Sequence, residues 1–355
     1  MQNSNAYKAL LRFFAASPAA GPFVTTIVVF ILSLLFVPNF SSWRTVSGVI
    51  TAISISGFVT IGITTLMIAG KFDLSIAPMI AMSGYLFGTI STGSDSLIVN
   101  TLYWIGLPVG GDGNVFLGIL FALLVPSLMG LINGLLMIST GIPSFIVTLG
   151  TRQIYRGVVW IVAGGVLFQI PPDAQLPIYG IFNGRFDFIN DLLPTANFRT
   201  ATLWLLGTAF IFHLVLNHTR FGNHLFAAGG NIGAANAQGV RVKRTKVWAF
   251  VISGLMAGCA GIISFSQFRS VRVAEQSGIE LTAIAAAVVG GAFLNGGWGS
   301  IWGGLIGILL ISLLRSSVIL MKVPFIPPDN FPAVVGVTIV GAVVLNNYLR
   351  TRSSS

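Results

Sequence analysis

The feature that most limits this 355-residue chain is a succession of apolar stretches, each about 20 residues long, parted by short polar breaks. A bilayer-crossing helix needs about that length, and within lipid only helices and closed barrels satisfy every backbone N–H and C=O. By this measure about ten segments qualify, at roughly 19–37, 46–70, 74–92, 115–139, 143–167, 200–217, 247–266, 279–294, 299–321 and 331–349. The expected fold class is all-α: a polytopic membrane protein with about ten transmembrane helices, some broken or half-length. The third segment opens at Asp73 and contains Pro78, and the eighth is short. Both are candidates for broken helices that line a cavity. Residues 1–355 read as a single transmembrane domain.

Composition points the same way. Only 8% of the residues are charged, against about 25% in soluble domains, and the mean hydropathy is +0.89. The 42 glycines suit helices that must approach closely where lipid supplies no hydrophobic drive. The single cysteine, Cys259, lies in an apolar stretch, excludes an intrachain disulfide and reads as a buried, inert thiol. The net charge of +10 does not imply a nucleic-acid partner, because the basic residues lie mostly between apolar spans, as orientation signals do. The run Ala19–Val37 follows Lys8 and Arg12 without a small-residue cleavage site and reads as the first span.

The loop at about 217–246 carries Arg220, Arg241, Lys243, Arg244 and Lys246 and no acidic residue. With it on the cytoplasmic side, Lys8, Arg12, Lys71, Arg350 and Arg352 lie there too, so both termini are expected in the cytoplasm. The loops at about 93–114 and 168–199 then face outward, where charge is mixed. The first contains an aromatic-rich stretch too short to span, expected at the membrane interface. The second, with Pro171, Pro172, Pro177 and Pro194, is expected to form a cap.

No catalytic constellation emerges. His213, His218 and His224 lack nearby cysteine or carboxylate partners and read as interfacial rather than metal-binding. No Gly-x4-Gly-Lys-Ser/Thr loop is present, so no nucleotide hydrolysis is expected from this chain. No enzymatic activity, metal or cofactor of its own is expected from these residues. Arg152 and Arg156 stand four apart, on one helical face. They either snorkel and cap near the inner interface, or Arg156 ties two helices together; Arg315 carries the same two readings. Asp73-Leu74-Ser75 and Glu280-Leu281-Thr282 each set a carboxylate before a helix-like segment, suited to capping or to substrate or proton chemistry. Too few carboxylates lie at depth for a proton relay. A weak internal repeat links Gly130–Ile138 with Gly303–Ile311, both built on Gly-x-x-x-Gly.

These pieces together resemble a known family. Gly70-Lys71-Phe72-Asp73-Leu74-Ser75 is similar to the Gly-Gly-Ile-Asp-Leu-Ser element of the ribose/xylose/arabinose-type permeases of bacterial ABC importers. Gly134, the run Ile142-Pro143-Ser144-Phe145-Ile146-Val147-Thr148-Leu149-Gly150-Thr151 and Tyr155-Arg156-Gly157 resemble its next stretch. Thr219-Arg220-Phe221-Gly222, Ala227-Ala228-Gly229-Gly230-Asn231 and Ala234-Ala235 resemble its coupling region. Glu280 to Ala286, Gly290-Gly291 and Asn295-Gly296-Gly297-Trp298-Gly299 resemble its late glycine-rich signature. The order is kept from about residue 46 to 349, with Lys71 and Phe72 departing from the usual Gly-Ile.

The resemblance implies a binding-protein-dependent importer of a monosaccharide or related polyol in the bacterial inner membrane. Its partners would be a cytoplasmic ABC ATPase that uses the ATP, a periplasmic sugar-binding protein, a second permease copy and membrane lipids. The segment Asn231–Val240 would be the short coupling helix, with Asn231, Ala234, Ala235 and Gly239 meeting the ATPase. Asp73, Ser75, Arg156, Glu280 and Asn295 are candidates for path lining or helix capping. Arg269 and Arg272 are candidates for receptor docking, as exposed donor forks for carboxylates. An autonomous ion-coupled carrier or channel is the alternative, weakened by the scarcity of deep carboxylates.

Overall fold

The computed structural model describes residues 19–109, 113–165, 167–170, 176–272 and 278–322, together with 331, 333 and 335–337. Nine of the expected segments are helices: α1 (Ala20–Phe36), α2 (Trp43–Ile68), α3 (Ile76–Thr92), then, after a short α4 (Leu97–Trp104), α5 (Val115–Thr140) and α6 (Ser144–Val162). The small α7 (Pro177–Asn183) and α8 (Asp187–Asn190) precede α9 (Ala201–His218), α10 (Arg220–Gly230) and α11 (Ile232–Ala237). The long α12 (Val242–Phe268), the short α13 (Ile279–Val289) and α14 (Ile301–Met321) follow. Five of these, α2, α5, α9, α12 and α14, are long and apolar enough to cross a membrane. The tenth expected segment, 331–349, lies mostly outside the described residues.

Local chemistry sets the boundaries. Ser42, Asn114 and Ser300 each accept a hydrogen bond from the third residue onward, satisfying an N–H that the helix itself cannot pair. Gly93 and Gly141 close α3 and α5 with left-handed backbone, the conformation glycine adopts without a steric cost.

Helix α12 forms the centre of the bundle and packs on α2, α3 and α5. Its glycines permit this: a Cβ at Gly254 would collide with the Pro126 carbonyl of α5, and one at Gly130 of α5 with the Phe250 carbonyl of α12. On one side α13 and α14 pair through Gly290, Gly303 and Gly307 and lean on α2. The two copies of the sequence repeat thus both serve close helix crossings, on α12 and on α13. Helix α1 rests on α14, where Ser33 and Ser317 share a hydrogen bond of 2.9 Å.

At one end of the bundle β1 (Leu167–Gln169) pairs antiparallel with β2 (Ser270–Arg272), joining the long loop to the end of α12. Apart from an isolated antiparallel bridge between Arg185 and Arg199, this pair is the one departure from an all-α chain among the described residues. Beside it Tyr179 of α7 is fully buried against Phe87 and Phe265. In the first loop, α4 carries Tyr103 and Trp104, 66% and 85% exposed. Pro78 does not break a span: α3 starts at Ile76, so the proline occupies the first turn, where its missing N–H costs nothing. The break lies before it, at 69–75.

Candidate functional site

Helix α2 ends in a glycine turn, with Gly70 left-handed at φ 71° and Lys71 N–H returning to the Leu66 carbonyl at 3.1 Å. The chain then runs without regular structure to α3. Its backbone N–H groups there have no helical partner, and each unpaired buried polar group is costly. Side chains of α6 supply what is missing: Phe72 N–H donates to Ser144 Oγ at 3.2 Å, and Leu74 N–H to Thr148 Oγ1 at 3.0 Å. Ser144 and Thr148 stand four apart on one helical face, so two stretches of the family resemblance prove to be one structural unit.

Asp73, fully buried, sits at the middle of this break. Its Oδ1 accepts from Ser75 N–H at 2.9 Å and from Ser75 Oγ at 2.7 Å, and its Oδ2 from Ser253 Oγ of α12 at 3.3 Å. Asn133 of α5 donates to Ser75 Oγ at 2.8 Å, and the Tyr155 hydroxyl of α6 lies 3.1 Å from Asn133 Oδ1 and 2.9 Å from the Met129 carbonyl. One polar network therefore ties α5, α6 and α12 to the break. Asp73 closes a turn with Ser75 before the helix rather than capping α3 itself, whose first residue follows Ser75 without a side-chain cap. Asn133 and Ser253 escaped the sequence reading. The signal for Asn133 was its amide inside an otherwise apolar span.

The second deep carboxylate, Glu280 in the first turn of α13, pairs with Arg152 of α6 at 2.8 Å. It is fully buried and Arg152 is 26% exposed. The arginine that ties two helices is thus Arg152, one turn from Arg156, to which one of the two sequence readings gives that role. Arg156, one turn further on and toward the same face, is exposed, beside Gln153. Helix α6 therefore has a bonded face (Ser144, Thr148, Arg152, Tyr155), with Arg156 exposed at its edge, and an exposed face that carries Gly150, Gln153 and Gly157. Asn295 is exposed on the turn between α13 and α14.

At the end of the bundle nearest the break, α10 and α11 form a compact elbow. Asn231 caps α11 by accepting from Ala234 N–H at 3.0 Å. Ala235 is buried against Ala228 and Val242, whereas Asn231, Ala234 and Gly239 are exposed. Gly239 is left-handed at φ 77°.

At the opposite end Arg269 closes α12 in left-handed conformation and its guanidinium lies 4.0 Å over the Tyr179 ring. It is half-buried, not the freely exposed fork that the sequence suggests. Burial moves both groups toward their neutral forms, lowering Arg269 and raising Tyr179 to about 12. The Arg272 backbone pairs with Leu167 in the two-stranded sheet; its side chain lies outside the described residues.

A bundle of apolar helices with a polar break, a deep ion pair and an elbow at one end is that of a multi-pass membrane transport component. Comparison with known proteins makes this specific. Residues 45–343 match the family described as branched-chain amino acid transport system / permease component, and the chain belongs to that family. It is 34% identical to the L-arabinose transport system permease protein AraH of Escherichia coli (strain K12) over 347 residues, 97% of this chain and 95% of the relative. It is 28% identical to the autoinducer 2 import system permease protein LsrC of Yersinia pseudotuberculosis over 346 residues, 96% and 88% of the two chains. The ribose import permease protein RbsC of Escherichia coli (strain K12) matches at 28% over 288 residues, 81% of each chain. No solved structure matches. The resemblance to ABC-importer permeases seen in the motifs holds, and the chain is a transporter subunit rather than an enzyme.

Proposed function

We propose that this chain is the permease subunit of an ATP-driven importer of a monosaccharide or related polyol in the bacterial inner membrane. Two copies enclose the translocation path, both termini are cytoplasmic, a periplasmic binding protein delivers the sugar, and separate ATPase subunits dock on the elbow at 231–240. The observation that carries this reading is the open face of α6. Within a bilayer an exposed arginine costs about 2.5–3.5 kcal/mol toward lipid on insertion scales, so Arg156, exposed beside Gln153 on α6, belongs against a second copy or a wet path. Gly150 and Gly157, in line with Gln153, have open space around them, which suits close approach of a partner helix.

The arabinose, ribose and autoinducer 2 permeases among the relatives support a small polyhydroxylated substrate. The ion-coupled alternative is disfavoured by the commitments of the deep carboxylates: Asp73 to Ser75 and Ser253, Glu280 to Arg152. The test is reconstitution in proteoliposomes with the partner ATPase and binding protein, using a panel of pentoses, hexoses and polyols. Uptake should require ATP and the receptor together. Uptake by the permease alone, driven by an ion gradient, would refute the proposal.

A further inference from the structure

Three stretches of chain remote in sequence meet backbone to backbone beneath the bundle. They are Gly70 after α2, Gly229-Gly230 at the end of α10, and Gly296-Gly297 between α13 and α14. Gly297 N–H donates to the Ile68 carbonyl at 2.8 Å. A Cβ at Gly296 would stand 2.7 Å from Gly70 Cα, and one at Gly297 2.5 Å from Gly230 Cα. A Cβ at Gly229 would collide with the Ile68 carbonyl and lie 2.6 Å from Gly297 N. Gly70, Gly296 and Gly297 are also left-handed, at φ 71°, 85° and 78°, so both space and conformation require glycine there.

A contact made by backbone alone has a mechanical consequence. Side chains absorb small shifts between packed elements by changing rotamer, whereas apposed main chains cannot. On one side the junction adjoins Asn231, the cap of α11. On the other it adjoins the break that holds Asp73, and the turn that leads through α13 to Glu280. Both deep carboxylates are thus reached from the elbow through one rigid contact.

We propose that Gly70, Gly229, Gly296 and Gly297 are positioning residues that pass movement of the elbow into the α2–α3 break and the α13–α14 hairpin. This rests on the reading of 231–240 as the ATPase-contacting segment. Movement of α11 is then carried simultaneously to the Asp73 network and to the helix bearing Glu280, without slippage between them.

The test compares Gly229→Ala with Gly230→Ala in the assembled transporter, permease with ATPase and receptor, in proteoliposomes. At Gly230 a Cβ would meet only Gly297 Cα at 3.7 Å, an ordinary contact, so that variant is the control. The readout is sugar imported per ATP hydrolysed, which mere loss of folded protein does not change. Gly229→Ala should lower this ratio severalfold while Gly230→Ala keeps it. A wild-type ratio in assembled Gly229→Ala overturns the junction. Should Gly229→Ala fail to assemble, spin labels at Gln238→Cys and Asn295→Cys, both exposed positions, give a second measurement. Their separation should be the same in nucleotide-free and ATP-bound transporter, and a nucleotide-dependent change overturns the junction. Normal coupled uptake in Gly239→Asp, which lies away from the junction, would instead overturn the coupling assignment and the proposal with it.

Discussion

Arg152 in α6 and Glu280 at the start of α13 form an ion pair of 2.8 Å, with the carboxylate fully buried. It links the helix with the open polar face to the hairpin that leans on α2. Removing one partner of such a pair strands a buried charge, at a cost of about 3–5 kcal/mol, while replacing both by apolar residues is often neutral. Arg152→Met alone is therefore expected to destabilise the permease strongly, and Arg152→Met with Glu280→Met to recover most of the loss. Thermal unfolding of the purified variants in detergent checks this; a double variant no better than the single one would count against it.

The polar network makes a graded prediction. Tyr155→Phe removes the hydroxyl that reaches Asn133 and the Met129 carbonyl and should cost about 1 kcal/mol, as for hydrogen bonds between membrane helices. Asn133→Leu also deprives Ser75 Oγ of its donor and should cost more. Equal unfolding temperatures for the two variants would contradict the network.

Thr148→Val keeps the shape of the side chain but removes the acceptor for Leu74 N–H. An unsatisfied buried donor costs about 1–3 kcal/mol, and the break should loosen. Faster amide exchange at residues 72–75 relative to wild type, together with lower uptake, is the expected outcome. Unchanged protection there would show that α6 does not hold the break.

In the elbow, Ala235→Leu should displace α11 from Ala228 and Val242, because overpacking a tight contact costs about 1–3 kcal/mol. Gly239→Asp places a side chain at φ 77° and a negative charge on a basic surface. Both variants should reach the membrane at normal levels yet lose uptake and stimulated ATP hydrolysis, measured on membrane vesicles. Normal values for both would remove the elbow from coupling.

Much of this was legible in the chain. Apolar runs of spanning length announced the helices, since burial in lipid is dictated by composition over a window of about 20 residues. The motif at 70–75, the carboxylates Asp73 and Glu280, and the short helix after Asn231 were also readable, because caps and turns are local. Sequence could not decide between Arg152 and Arg156. Both lie toward one face, and only the placement of α6 against α13 brings the first to Glu280 and leaves the second exposed. Arg269 was misjudged for a related reason: its exposure is set by Tyr179, about 90 residues away in sequence and in a different element.

The sequence by itself determined the helices, the membrane class and the family, because hydrophobic length and motif order are properties of the chain read along its own axis. The tertiary structure alone decided which groups meet: Ser144 and Thr148 with the break, Arg152 with Glu280, and three glycine segments with one another. Such contacts depend on the rotation, depth and crossing of separate helices, and those are fixed by close packing across the whole bundle rather than by any one segment.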